Sequence, residues 1–379
     1  MSLRSKIPFL IALLVTLIAI GPAPSTAQVT EADLQAKIDE ALVAHNLVGI
    51  GAAVMISESE YPILAVAGER ERGSGDMIHW GDAWHIGSNT KMLTALTYAR
   101  LVADGKAKWG ATIPSFFPLF TDDIHPDWAN VTIEDLLSHR AGLSANPDQI
   151  WMIARAFDTS DLAIQRQNLA RTVLTTPMAG QHGEYSYSNT GYMLAGAVIE
   201  SIATEQSDIE AFEKIFSTLF RSDLNRVGGQ LDFGPPKKGI QGHRKSLFGN
   251  KLTGVGYSDT ADNPKVYGPA GTMNVSLNLH IGFLAKHFLN GDTDIKRKLL
   301  TPHPDEESDY ALGWGLGEKE GIGRIFGHSG SNTMWLSNVT YAPSLDAIVI
   351  VNINQFNDDA RAAVRDVTND VLEQIVETK

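Results

Sequence analysis

Apolar residues recur at helical spacing at both ends of the chain, and just inside those ends they run continuously. Thr30 precedes Leu34, Ile38, Ala41 and Leu42, with Asp33 three residues on. That is the signature of a capped amphipathic helix. Ile50 to Ile56 and Ile63 to Val66 follow, rich in β-branched residues and split by a polar turn at 57–60; both read as strands. Near the other end, Tyr310–Leu316, Arg324–Phe326, Met334–Tyr341 and Ala347–Asn352 read as strands, with Gly, Asn and Pro between them. From about Asn357, Ala360, Ala363, Val364, Val367, Val371 and Ile375 share one face of a closing helix.

Between about Ser88 and Leu300 the pattern is mainly helical with long loops. One helix carries Leu93, Leu96 and Val102 and stops at Gly105; another runs through Met193 to Ile202. The Gly- and Pro-rich stretch 233–269 has little periodicity, and loops of that length commonly shape a site. Strands at both ends and helices between them predict an α/β (α+β) fold. Its antiparallel sheet is built from both chain ends and flanked by the terminal helices, with a large, mainly helical domain inserted. The expected division is 28–87 plus 301–379 for the sheet domain and 88–300 for the helical one.

The first residues read as an address. Arg4 and Lys6 precede an apolar run from Ile7 to Ile20, and Ser25 and Ala27 occupy small-residue cleavage positions. The run is shorter than the roughly 20 residues that span a bilayer. Residues 1–27 are therefore expected to be a signal peptide, the mature protein periplasmic or secreted, and no stable membrane anchor is expected after cleavage.

Composition narrows the chemistry. The 379 residues include no cysteine, which removes disulfides, thiolate nucleophiles and thiolate metal sites. With 31 Lys and Arg against 44 Asp and Glu the net charge is −13, and no basic run offers a face to nucleic acid. The eleven histidines form no His-Glu-x-x-His or His-x-His pattern, so neither a metal nor a cofactor is expected. His280 and His287, seven apart, read as a partly exposed helix face.

Three short motifs remain. In Ser88-Asn89-Thr90-Lys91 the hydroxyl and the amine stand one helical turn apart, so Lys91 can reach Ser88 and, when neutral, accept its proton. The helix N-terminus adds unpaired N–H groups beside the nucleophile. Tyr187-Ser188-Asn189, flanked by Gly183 and Gly191, offers a phenol whose pKa a cationic Lys91 would lower, and an amide that both donates and accepts. His328-Ser329-Gly330-Ser331 ends a strand; its glycine would let a substrate backbone lie close, and the Ser331 N–H could join that of Ser88 around an oxyanion. Singly, each motif fits an ordinary helix start, loop or strand end.

Taken in order, these residues resemble the penicillin-recognising serine hydrolases, the family of class C β-lactamases, D-alanyl-D-alanine carboxypeptidases and related esterases. The pattern there is Ser-x-x-Lys, Tyr-x-Asn, then Lys/His-Thr/Ser-Gly. Leu136–Leu143, Gly268–Met273 and Tyr310–Gly315 also look like that family's intervening segments, so the resemblance covers nearly the whole mature chain. It implies acyl transfer: Ser88 attacks a carbonyl, Lys91 and Tyr187 move protons, and Asn189, His328, Ser329, Gly330 and Ser331 bind the substrate. That substrate would be a small-molecule amide, β-lactam, D-alanyl peptide or ester. Neither the Ser-Asp-Asn motif of class A β-lactamases nor a Gly-x-Ser-x-Gly elbow is present.

Two departures bear on substrate. His328 stands where β-lactamases of this type usually carry Lys, so a gain on anionic β-lactams is expected as pH falls toward 6. Met334 takes a place often held by Gly and is expected to narrow one wall of the cleft; Leu279, where relatives often have Asp, is expected to affect packing only. A binding protein that is acylated but turns over slowly is the rival to a hydrolase.

Overall fold

The computed structural model describes residues 29–57, 59–203, 210–246 and 251–378; the expected signal peptide lies outside them. Among the described residues no helix is long and apolar enough to cross a membrane.

Helix α1 (Glu31–Ala44) starts in the expected capping box, with Thr30 and Asp33 satisfying each other's backbone N–H groups. Strands β1 (Gly49–Ile56) and β2 (Ile63–Gly68) follow, then the short β3 (Ala83–His85) and α2 (Thr90–Ala103). The middle of the chain supplies α3 (Ile133–Leu137), α4 (Gln149–Ala156), α5 (Leu162–Leu174), α6 (Asn189–Ala203), α7 (Phe212–Leu219) and α8 (Arg221–Val227). Strands β4 (Leu231–Phe233), β5 (His243–Lys245) and β6 (Leu252–Gly254) then lead to α9 (Gly268–Gly271), β7 (Met273–Ser276), α10 (Leu277–Leu284) and α11 (Thr293–Leu300). The chain closes with β8 (Gly315–Lys319), β9 (Gly323–Gly330), β10 (Leu336–Ala342), β11 (Ala347–Ile353) and α12 (Asp358–Thr378).

Both ends of the chain meet in one antiparallel six-stranded sheet, ordered β2-β1-β11-β10-β9-β8. Its centre is covered on both faces, and period-2 alternation divides the side chains between two cores. Ile50, Ala52, Val54, Val349, Val351 and Ile353 join Leu34, Ile38, Val367 and Val371 of α1 and α12. Ala53, Met55, Ile348 and Ile350 face the other way, against Leu277 and Ile281 of α10. Burial on both faces explains why β1 and β11 read as unbroken apolar runs. Burying one Val, Leu or Ile is worth about 1.5–3 kcal/mol, so these two strands anchor the sheet.

Two details position the site. Strand β8 pairs with β9 only along Gly323–Gly327, so His328–Gly330 are paired with β10 on one side and free of β8 on the other. The expected strand at 310–316 begins only at Gly315. Gly313 takes φ +85, and a Cβ there would lie 3.0 Å from the Lys91 carbonyl oxygen. The 310–314 segment therefore turns against the first turn of α2 instead of extending. Leading into 233–269, strand β4 pairs with β7, which also pairs with β3, and within the segment β5 and β6 pair antiparallel.

Candidate active site

Ser88 lies in a 3-10 turn, Gly87–Asn89, that runs directly into α2. The turn is pinned from several sides: the Ile86 N–H donates to the Met273 carbonyl, the Thr90 hydroxyl to the Gly87 carbonyl, and the Asn89 amide to Ser337 on β10. Lys91 is completely buried, with its amine 3.1 Å from the Ser88 hydroxyl and 2.7 Å from Asn189 Oδ1, and also bonded to the Ala270 carbonyl. Among the described residues no carboxylate pairs with it, and burial holds its pKa well below the usual lysine value.

A neutral amine has two N–H bonds and one lone pair. The Ala270 carbonyl can only accept. Asn189 also presents an acceptor, because its Nδ2 donates to Asn146 Oδ1 at 2.8 Å. With both Lys91 protons so engaged, the lone pair is left for the Ser88 O–H. This is a base already aimed at its nucleophile.

Tyr187 completes the cluster. The Lys91 amine lies 5.0 Å from its ring centre. The expected lowering of its pKa by a cation does not occur. Burial pushes the phenol up to about 12, against the opposing pull of the nearby Ser88 hydroxyl, because the neighbouring amine is itself disfavoured as a cation. Tyr187 is thus a protonated phenol at neutral pH. Ser188 caps α6 by accepting from the Gly191 N–H, and its own N–H donates to Nδ1 of buried His139. The His139 ring packs 4.2 Å from that of Tyr187.

The third motif departs from expectation. Nδ1 of His328 lies 2.9 Å from the Ser329 carbonyl, which can only accept, so Nδ1 carries the proton; Nε2 then accepts from the Tyr310 hydroxyl at 3.0 Å. Burial pulls the imidazole down to about 3. His328 therefore remains neutral across the working pH range with both nitrogens engaged, and the expected gain on anionic substrates near pH 6 is corrected. Gly330 also has a different reason: a Cβ there would lie 1.9 Å from the Ile86 carbonyl oxygen and 2.7 Å from the Ser88 nitrogen. It lets β9 close on the nucleophile turn.

Ser329 and Ser331, with Ser88 and Gly330, line a cavity of about 610 Å³ that runs along β9 and β10 to α12. Met334 is buried and is not among its lining residues, so the expected narrowing of that wall is not seen. Leu279 is buried on α10, as a packing residue should be. His280 is also buried, against the expectation of a partly exposed face; His243 joins the Asn354 carbonyl to the Arg72 N–H. Among the described residues no group of side chains is arranged to hold a metal ion.

Sequence reasoning named Ala270 and Tyr310 only within family-like segments and gave no role to them, to Asn146 or to Asp262. Their contacts rest on a carbonyl, a phenol, a loop amide and a bond across 177 positions. Short motifs carry no signal of that kind.

The geometry can now be set beside known proteins. The family model described as Beta-lactamase matches residues 36–372. The chain belongs to that family. A putative D-alanyl-D-alanine carboxypeptidase of Escherichia coli K12 is 25% identical over 302 residues, spanning 72% of this chain and 69% of the relative. Among solved structures, a D-amino acid amidase from Ochrobactrum anthropi SV3 superposes with a TM-score of 0.68 at 19% identity, covering 91% of this chain and 96% of its own. A class C β-lactamase from Rhodobacter sphaeroides gives 0.66 at 15% identity, covering 89% and 99%. Likeness at such identities bears on the fold. The Beta-lactamase family joins β-lactamases, carboxypeptidases and amidases, serine hydrolases that act on amides.

Proposed function

We propose that this Beta-lactamase-family protein is an exported serine acyl hydrolase that cleaves an amide or ester through an acyl-enzyme on Ser88. The observation that carries the reading is the Lys91 amine, with two N–H groups held by acceptors and Ser88 at its third position. As Ser88 Oγ bonds to the carbonyl carbon, its proton passes to Lys91. The carbonyl oxygen becomes an oxyanion facing the N–H groups of Ser88 and Ser331, an interaction worth several kcal/mol in comparable sites. When the bond to the leaving nitrogen or oxygen breaks, Tyr187 gives that atom its phenolic proton and takes in its place the proton held on Lys91, so that both groups end neutral while Ser88 is esterified. Water then repeats the sequence on the acyl-enzyme, releasing the acid and restoring Ser88.

His328 itself offers the cleft no cation, whereas Lys319, Arg361 and Arg365 line the same cavity. The free edge of β9 at His328–Gly330 supports a binding mode in which the acyl chain lies alongside it. Purified protein incubated with a p-nitrophenyl ester and a chromogenic cephalosporin, followed by product release and intact mass, tests the reading. Sustained ester turnover that disappears in Ser88→Ala is expected. A single stoichiometric burst leaving a permanent adduct would instead identify a binding protein.

A further inference from the structure

Behind the nucleophile turn lies a second buried polar group that the mechanism above does not use. His85 and Asp262 have fully buried side chains, with Nε2 2.9 Å from Oδ2. Nδ1 of His85 accepts the Gly87 N–H at 3.2 Å, so the imidazole proton sits on Nε2 and points at Asp262. The other carboxylate oxygen, Oδ1, accepts from the Asn332 amide at 2.8 Å and from the Asn263 N–H at 2.7 Å. Asn332 Oδ1 in turn accepts the Met334 N–H at 3.2 Å.

The two arms of Asp262 therefore end on two particular stretches of backbone. One is the turn at Gly87, φ +51, whose next residue carries the Ser88 N–H. The other is the turn after Ser331, where Thr333 is held at φ +74 and donates its N–H to the Ser331 hydroxyl. Both turns use backbone conformations that L-residues with side chains rarely adopt unaided, and surrounding contacts must hold them. They also touch: a Cβ on Gly87 would lie 2.4 Å from the Ser331 nitrogen. The His85 ring stacks on Trp335, 5.1 Å between centres, closing the bracket from a third side.

We infer that Asp262, acting through His85 on one arm and Asn332 on the other, is the positioning residue that fixes the Ser88 and Ser331 N–H groups as an oxyanion hole. The inference rests on the proposed acyl transfer at Ser88 and adds what holds its electrostatic part in place. It also assigns a task to the 233–269 segment, which sends Asp262 in behind the nucleophile. An oxyanion hole acts on charge that exists only in the transition state. A displaced hole should therefore weaken a transition-state mimic in step with turnover.

The test uses the intact protein, a p-nitrophenyl ester and phenylboronic acid, whose tetrahedral adduct on a serine places an oxygen in such a hole. Asp262→Asn forces an N–H against either His85 or Asn332. We expect kcat/KM to fall roughly 10- to 100-fold and the boronate Ki to rise by a similar factor, with the melting temperature shifted by less than about 4 °C. His85→Asn keeps an acceptor near the Nδ1 position but loses Asp262, and His85→Gln reaches Asp262 but abandons Gly87; each cuts the same arm, so both should fall as Asp262→Asn does, in turnover and in boronate affinity alike. Parent-like turnover in His85→Asn, or loss of turnover without loss of boronate affinity, would reduce the group to ordinary packing and overturn the inference. If Ser88→Ala is inert and boronate inhibits the parent, but Asp262→Asn behaves like the parent, the inference alone fails. Turnover that survives Ser88→Ala removes the reading beneath it as well.

Discussion

Among the described residues, the basic side chains of Arg166 and Lys91 are both completely buried, and they are treated in opposite ways. Arg166 on α5 donates to Glu200 on α6 and to both oxygens of Glu213 on α7, and it also reaches the Val266 carbonyl. Lys91 on α2 has only neutral partners: a hydroxyl, an amide oxygen and a carbonyl. Despite burial, the two carboxylates hold the guanidinium charged, above even its usual range; the amine, with no such partner, is driven well below its own. A buried cation with counter-charges ties helices together. One without them is a poor cation and a good base.

Removing each group in turn gives the sharpest test of that contrast. Lys91→Met should lower kcat/KM on a neutral ester by at least about a thousandfold, the scale of a lost general base, with urea unfolding close to the parent's. Arg166→Met should do the reverse. It takes the guanidinium away from Glu200 and Glu213 and should cost about 3–5 kcal/mol in urea unfolding, while kcat/KM per folded molecule stays within about threefold. A Lys91→Met protein destabilised as severely as Arg166→Met would make Lys91 a structural cation and end the comparison.

Acidity separates the same two sites by sign. Folded Lys91 gives up its proton below the ordinary value of 10.5, so kcat/KM should rise with pH through that lowered pKa and then level off. Across this window the unfolded chain binds more protons than the folded one, so the Lys91 contribution to stability also rises with pH. Glu200 is lifted by burial from 4.5 to about 7, against the pull of Arg166. There the folded state binds more protons, and its contribution, complete below 4.5, should be lost as pH climbs through 7, on the order of 2–3 kcal/mol in all. Glu200→Gln should flatten that slope in urea titrations at pH 5 and 7. His328 should add no inflection between pH 6 and 8, so rate profiles for an anionic and a neutral substrate should superimpose. A divergence near 6.5 would return His328 to the role of carboxylate partner.

What the sequence discloses divides along similar physical lines. The sheet is legible because β1 and β11 are apolar on both faces, and α1 and α12 announce themselves by period and, for α1, by its cap. Ser88 and Lys91 are legible because one helical turn fixes their separation wherever the helix lies. Tyr187 and Asn189 are found as types in a spacing, yet nothing in that spacing tells that the phenol is buried and the amine beside it neutral. The misreadings share a cause. Gly330, Met334 and His328 look open to a substrate along the chain, and each is covered by a segment distant in sequence: the 86–89 turn, the β5 strand whose His243 N–H meets the Met334 carbonyl, and Tyr310. Burial by a remote partner leaves no local mark. The same holds for the bond from His85 to Asp262.

The Lys91 lone pair depends on the orientation of one amide, and Asn146 tests it. Asn189 presents oxygen to Lys91 only because its Nδ2 is engaged by Asn146 Oδ1, which the Tyr267 hydroxyl also approaches at 3.5 Å. Asn146 is exposed on the loop before α4, so truncating it removes little packing. Asn146→Ala should leave unfolding within about 0.5 kcal/mol of the parent, as surface changes usually do. It also frees the Asn189 amide to turn, and an N–H facing Lys91 would compete for the lone pair meant for Ser88. A three- to tenfold fall in kcat/KM is expected, roughly the value of one neutral hydrogen bond, recovered in large part by Asn146→Asp, which can only accept from Nδ2. If alanine and aspartate lower the rate alike, Asn189 does not need its loop partner, and the buried Ala270 carbonyl and the helix alone orient the base.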